Sequence, residues 1–285
     1  MSFSWEVKTE ICKVKPTDCC VYAELYGILL FSRSFSNADI FYSSDRQDIA
    51  DRCASLISSV YKFKPTHTQD KGNHSLKADI INVGKLYADF ITVEYITDVF
   101  GCETCFSSFL RGAFLSSGTV TDPNKDFHLE LKTLNEAVAL STHALLVTQG
   151  FNAHISNRGK YHIVYFKGNE NVSDFLALIG ASKKALEVID AGMIKEMRNR
   201  VNRAKNCETA NIGKTVNAMI KQVKAINILN SNGRLNNLSE ELQYAAKLRL
   251  DNPDMSLSDL SKLCGISRSG LNHRLNRLIE LADDK

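Results

Sequence analysis

No run of apolar residues in this sequence approaches the roughly 18 that a membrane-spanning helix needs; the longest candidate, 25–31, is far shorter. No export signal is expected either. Glu6, Lys8, Glu10 and Lys13 interrupt the apolar positions near the start, so no continuous signal-peptide core forms and a cytoplasmic protein is expected. Cysteine occurs at 12, 19, 20, 53, 102, 105, 207 and 264, scattered through a chain large enough to fold without staples, which predicts reduced thiols. Cys102 and Cys105 form a lone CxxC. With no CxxC, CxxH or HxxxH partner at metal spacing, they read as buried or incidental thiols, with no metal site and no cofactor.

What is present is ordinary for a globular protein: 44% hydrophobic and 24% charged residues in 285, enough chain for about two domains. Charge is unevenly spread. Residues 182–285 carry 18 Lys and Arg against 12 Asp and Glu, leaving 17 against 20 for residues 1–181. A positive C-terminal third points to a polyanionic partner for that part.

Helix and strand patterns over 20–31, 39–42, 45–60 and 78–83 recur at 105–116, 127–133 and 135–149. Strands at 152–156 and 161–167 then pair across the Asn157-Arg158-Gly159 turn, and a helix near 172–179 closes the second set. The segment Leu25-Tyr26-Gly27-Ile28-Leu29-Leu30-Phe31-Ser32-Arg33 overlays Leu110-Arg111-Gly112-Ala113-Phe114-Leu115-Ser116-Ser117-Gly118 with Gly27 and Gly112 in register. Two αββαββα-like halves related by a pseudo-two-fold axis are expected.

Strand signals stop after 182. A charged helix is expected over 183–205 and a second over 211–230, where Ile212, Val216, Met219, Val223 and Ile226 repeat at steps of four and three. That spacing makes a narrow apolar seam, suited to packing on a neighbouring helix or to a dimer contact. Turn-forming residues fill 231–237, and an all-helical unit follows, broken at 251–254 and at Gly265. The expected domains are 1–181 in two halves (about 1–90 and 91–181), a basic helical linker 182–237, and a DNA-binding domain 238–285.

Within the last domain, a short helix over 257–264, Gly265 and a second helix over 267–281 have the proportions of a helix-turn-helix. Leu260, Leu263, Ile266, Leu271, Leu275 and Leu278 would form its core. Ser256 and Ser267 suit the helix starts, with Ser267 also suited to a phosphate contact. The outward face of the second helix then carries Arg268, Ser269, Asn272, His273, Arg274 and Arg277. Arginine grips guanine and asparagine grips adenine by two-point hydrogen bonding, so this face suits double-stranded DNA. Arg198, Arg200, Arg203, Lys205 and Lys214 on the preceding helices would add phosphate contacts.

Gly27 and Gly112 sit where the signature helices of LAGLIDADG homing endonucleases need a residue without Cβ, so that the helices can cross closely. In those enzymes the last turn of each helix presents a carboxylate, and the pair holds the divalent metal that activates water. The corresponding positions here are Ser32 and Ser117, neutral and poor ligands for Mg²⁺. No catalytic residue is therefore assigned and the chain is read as not an enzyme. Asp39 and Asp122 lie past the helix ends and read as loop residues. His128, Lys132, His154, Arg158 and His162 lie on strands that could face DNA or a protein. Gly213-Lys214-Thr215 mimics the end of a phosphate-binding loop, but no strand precedes it.

Across nearly its whole length the sequence is similar to the WhiA family of bacterial sporulation and cell-division regulators. The residues that carry the resemblance are Met1-Ser2-Phe3-Ser4 with Glu6-Val7-Lys8, Phe109-Leu110-Arg111-Gly112-Ala113-Phe114-Leu115 with Ser117-Gly118 and Asp122-Pro123, and Phe127-His128-Leu129-Glu130. Asn202-Arg203-Ala204-Lys205-Asn206-Cys207-Glu208-Thr209-Ala210-Asn211 and the helix-turn-helix complete it. The resemblance implies an α+β, pseudo-two-fold LAGLIDADG-like domain without nuclease activity, followed by an all-α helix-turn-helix domain. It implies a nucleoid-associated, sequence-specific transcription regulator of sporulation or of cell division and chromosome segregation. A WhiB-type iron-sulfur regulator is implied as a partner. A nucleoid- or division-associated interaction protein with loose DNA binding is the alternative.

Overall fold

Ser2 starts the first helix by accepting the Trp5 N–H on its hydroxyl at 3.2 Å, which satisfies one of the amides a helix start leaves unpaired. The computed structural model describes residues 2–283; Met1, Asp284 and Lys285, the ends of the first and last expected domains, lie outside the described residues. The chain divides into two units, Met1–Lys195 and Glu196–Lys285.

In the first unit α1 (Phe3–Ile11) precedes one half made of α2 (Asp18–Leu30), β1 (Ile40–Ser44), α3 (Gln47–Tyr61), β2 (Thr66–Asp70), β3 (Asn73–Lys77) and α4 (Ile80–Thr92). The other half is α5 (Thr104–Ser117), β4 (Thr119–Val120), β5 (His128–Thr133), α6 (Glu136–Thr148), β6 (His154–Arg158), β7 (Tyr161–Lys167) and α7 (Asn169–Leu178). Both sheets are antiparallel, ordered β1-β3-β2 and β4-β5-β7-β6. The order β1-β3-β2 repeats as β5-β7-β6, as a pseudo-two-fold duplication requires.

At the centre α2 and α5 cross backbone to backbone. A Cβ on Gly27 would lie 2.2 Å from the Phe109 carbonyl oxygen, and one on Gly112 would lie 2.1 Å from that of Glu24, so both positions exclude any side chain. Around the crossing pack Leu25, Ile28, Phe109, Leu110, Ala113 and Phe114, all buried.

The strand expected over 78–83 is instead the start of a helix. Asp79 accepts the Asn82 N–H at 2.9 Å and caps α4. Val83 and Leu86 are buried while Ile80 and Ile81 are exposed, a spacing of three rather than an alternation. The pairing strands are β2 and β3, which hold one apolar side chain between them, the buried Leu76, and are turned by Lys71 and Gly72 at φ of 46° and 84°. Such a strand lacks the apolar alternation by which strands are read.

The second unit contains most of α8 (Ser182–Ser231), which begins in the first, then a 3₁₀ turn (Leu235–Asn237), α9 (Glu240–Asp251), α10 (Leu257–Cys264) and α11 (Arg268–Asp283). Two helices were expected where one of 50 residues runs unbroken. Asn, Cys, Thr and the two glycines, Gly192 and Gly213, lower helix propensity by about 1 kcal/mol each at most, and no proline enforces a stop. The apolar seam is buried only at its end: Ile226 is inaccessible, whereas Ile212 is 57% and Val216 44% exposed. Ile226 and Leu229 join Ala245, Ala246, Leu260, Leu271, Leu275 and Leu278 in the second core.

Candidate nucleic-acid interface

The helix-turn-helix is built from its caps inward. Ser256 accepts the Asp259 N–H at 3.2 Å at the start of α10. Gly265, at φ 69°, takes the left-handed conformation that ends α10. Ser267 then accepts the Gly270 N–H at 3.1 Å, so its hydroxyl is engaged as the cap of α11. Arg249 is buried beneath the α9–α10 connection, donating to the carbonyls of Asn252 and Met255 at 3.3 and 2.7 Å. This buried arginine fixes the approach to α10, and sequence periodicity alone offered no sign of it. Leu263, expected in the core, is 60% exposed, because the short α10 turns Leu260 inward and carries Leu263 some 60° away.

On α11, Arg268, Ser269, Asn272 and His273 are exposed. Arg274, expected on the same outward face, is instead half-buried and pairs with Glu241 of α9 at 3.0 Å. Arg277 is exposed and pairs with Glu280 at 2.9 Å. Arg268 and Asn272 line one depression of about 280 Å³ together with Lys214, Thr215, Arg249 and Ser258. A lysine of α8 and the front of α11 are thereby brought to one surface.

Arg198, Arg200, Arg203, Lys205 and Lys214 are all exposed, but they do not form one stripe. At about 100° per residue, Arg200, Arg203 and Lys214 fall within about 60° of one another, with Lys221 beside them, while Arg198 and Lys205 lie on the opposite side.

A second basic surface lies in the first unit, beyond the C-terminal ends of α2 and α5. Lys8, Arg33, Lys132, Arg158 and Lys160 line a cleft of about 830 Å³ in which Asp45 is the one carboxylate among the described lining residues. Ser32 and Ser117 both open on it. The Ser32 hydroxyl accepts the Ser34 N–H at 3.2 Å, and that of Ser117 accepts the Lys132 N–H at 3.2 Å. Two neutral hydroxyls bound to backbone and a single carboxylate do not suit a catalytic divalent cation. Arg33 donates to the Tyr161 hydroxyl at 3.2 Å and holds its pKa below the ordinary value.

The β5-β7-β6 register decides which candidate residues share a face. Glu130 opposes Tyr165, which opposes His154, so His128, Glu130, Lys132, His154 and Arg158 lie together. His162 falls on the other face, apart from His128 and His154, and pairs with Asn157 at 3.0 Å. Glu130 contacts His128, Lys132 and Arg158 at 2.8, 3.1 and 3.4 Å. Burial raises its pKa, but hydrogen bonds from His128 and Lys132 outweigh that and hold it below the usual value.

A repeated α+β unit crossing at two glycines, joined to a capped helix-turn-helix, defines a DNA-binding protein on a LAGLIDADG-like scaffold, and the comparisons with known proteins agree. Residues 106–198 match the WhiA LAGLIDADG-like domain and residues 201–282 the WhiA C-terminal HTH domain. The probable cell division protein WhiA of Clostridium acetobutylicum is 43% identical, over 100% of this chain and 98% of that protein. That of Ruminiclostridium cellulolyticum is 35% identical, over 99% and 97%. The crystal structure of full-length DUF199/WhiA from Thermatoga maritima superposes with a TM-score of 0.57 at 26% identity, covering 99% of this chain and 98% of that one. The chain belongs to the WhiA family. No described helix is long and apolar enough to cross a membrane.

Proposed function

We propose that the protein is a sequence-specific transcription regulator acting at the chromosome in the control of cell division or sporulation, and that its LAGLIDADG-like unit binds without cutting. The observation that carries this reading is the depression shared by Arg268, Asn272 and Lys214, which combines base-reading side chains with a phosphate-binding cation. Ser269 and His273, exposed beside them, extend the reading surface, while Ser267, Arg274 and Arg277 shape and position α11. Arg200 and Arg203 continue the phosphate track. The names of the relatives support the cell-division role, and a WhiB-type partner is proposed on the family resemblance alone.

In the basic cleft, cation charge attracts the phosphate backbone. Ser32 and Ser117 lack the charge that would hold a water-activating metal, which supports a non-catalytic role. Mapping bound sites across the genome, followed by salt titration on a mapped site and its scrambled form, tests the proposal. A specificity ratio that persists as salt rises supports base readout; equal affinity for both duplexes would favour loose binding instead. Cleavage of the mapped site with Mg²⁺ or Mn²⁺ would overturn the non-catalytic reading.

A further inference from the structure

The cysteines that the sequence leaves unrelated converge. Cys19 and Cys20 lie in the first turn of α2, and Cys102 and Cys105 flank the start of α5. The Cys102 sulfur is 3.3 Å from that of Cys19, 3.6 Å from Cys20 and 3.6 Å from Cys105, and Cys20 is 3.9 Å from Cys105. All four sulfurs lie within 4.8 Å of one another. We propose that these cysteines bind one zinc ion as a tetrathiolate, which staples the two halves of the LAGLIDADG-like unit at the N-terminal ends of their central helices.

Zinc–sulfur bonds of about 2.3 Å at tetrahedral angles separate the sulfurs by about 3.8 Å, within the spread seen here. A polynuclear iron-sulfur cluster places several irons and sulfides between its thiolates and needs a wider cage. The donor set is closed, four sulfurs with no place held for water, as in structural rather than catalytic zinc sites.

The backbone around the sulfurs is arranged to bring them together. The Cys105 N–H donates to the Cys102 carbonyl at 3.1 Å, closing the turn that directs both sulfurs to one side. The Thr104 hydroxyl lies 3.1 Å from the sulfurs of both Cys20 and Cys102, placed to donate its one proton to either thiolate and orient it. A Cβ on Gly101 would come within 3.1 Å of the Cys19 Cβ, so glycine permits the close approach of that loop to α2. First-turn amides of both helices add positive potential where the thiolates sit. Cys20 and Cys105 are buried while Cys19 and Cys102 are exposed, which leaves an open side for the ion to enter. Binding releases the thiol protons to solvent and transfers no electrons.

This site is not the nuclease metal position. It occupies the opposite ends of the same two helices from Ser32 and Ser117, about 20 Å away along α2 by helix rise. Sequence spacing does not reveal this site, because the adjacent Cys19-Cys20 pair meets the distant Cys102-x-x-Cys105 only through the α2–α5 crossing.

The test is elemental analysis and native mass spectrometry of the full chain purified under reducing conditions without chelator. About one zinc per chain is expected. Cys19→Ser and Cys102→Ser, both at exposed positions, should each lower zinc retention against a competing chelator by about tenfold or more, with helix content by circular dichroism unchanged. Cys207→Ser should retain the metal. Cobalt loaded in place of zinc should give the absorption of a tetrahedral thiolate site, lost in Cys102→Ser. Folded, reduced protein that takes up no zinc from excess would overturn the proposal, as would a Cys19–Cys102 disulfide in its place or undiminished zinc in both variants. Iron as the resident ion would overturn the zinc assignment.

Discussion

Arg111 of α5 reaches across the helix crossing to the Glu24 carboxylate of α2 at 3.0 Å, while Arg52 holds the same carboxylate at 2.7 and 2.9 Å. Glu24 is fully buried and Arg111 nearly so. Arg111 also donates to the Ile179 carbonyl at 2.7 Å, so this network ties α2, α3 and α5 to the end of the second half. Replacing Glu24 by Gln should leave the arginines short of their counter-charge and destabilise the protein by about 3–5 kcal/mol. Urea denaturation measures it; an unchanged midpoint would contradict the assignment.

Gly112→Ala should be destabilising by about 1–3 kcal/mol or more, because the added carbon meets backbone, the Glu24 carbonyl at 2.1 Å and the Ile28 nitrogen at 2.8 Å. Gly213→Ala, where nothing lies within 4 Å, should instead be neutral or mildly stabilising. If the two variants melted alike, the close crossing would not be a structural requirement.

For DNA binding, Arg268→Ala and Asn272→Ala should each weaken specific binding by roughly 1–3 kcal/mol and relax base preference. Arg274→Ala, whose guanidinium is engaged by Glu241, should act on the stability of the unit, by up to about 1 kcal/mol, and less on base preference. Quantitative footprinting on a mapped site separates the three. A loss of preference centred on Arg274 would reverse their roles.

The two faces of α8 give a paired comparison. Substituting Arg200, Arg203 and Lys214 together by Ala should reduce the salt dependence of DNA affinity, by about 1 in slope for each phosphate that is no longer neutralised. The opposite-face pair Arg198 and Lys205 should leave it unchanged. Equal effects from both sets would mean that net charge, rather than a phosphate track, drives binding.

Lys8 supplies a pH prediction. Burial pushes its pKa down to about 8 from 10.5, with Asp45 opposing the shift and Arg46 adding to it. Between about pH 8 and 10.5 the unfolded lysine holds a proton that the folded one has released, so stability should rise with pH across that window. Lys8→Met should raise stability at neutral pH and flatten the rise. A slope through pH 8–10 identical to that of the parent would refute it.

Local pattern in the sequence determined the glycine-centred repeat and the helix-turn-helix with its two serine caps, and the resemblance to LAGLIDADG enzymes pointed to Ser32 and Ser117 as the positions without carboxylates. Within each element these are relations between residues a few positions apart, where helix and strand geometry turns spacing directly into a face, and the repeat follows from comparing two such elements. Tertiary structure decided what depends on residues far apart in the chain. Strand register separated His162 from His128 and His154, packing of α9 against α11 drew Arg274 toward Glu241, and the α2–α5 crossing gathered Cys19, Cys20, Cys102 and Cys105 into one cluster. The hairpin β2–β3 was illegible for a related reason: β3 is held by backbone pairing with both β1 and β2, and with Leu76 its one apolar residue no apolar alternation announces it.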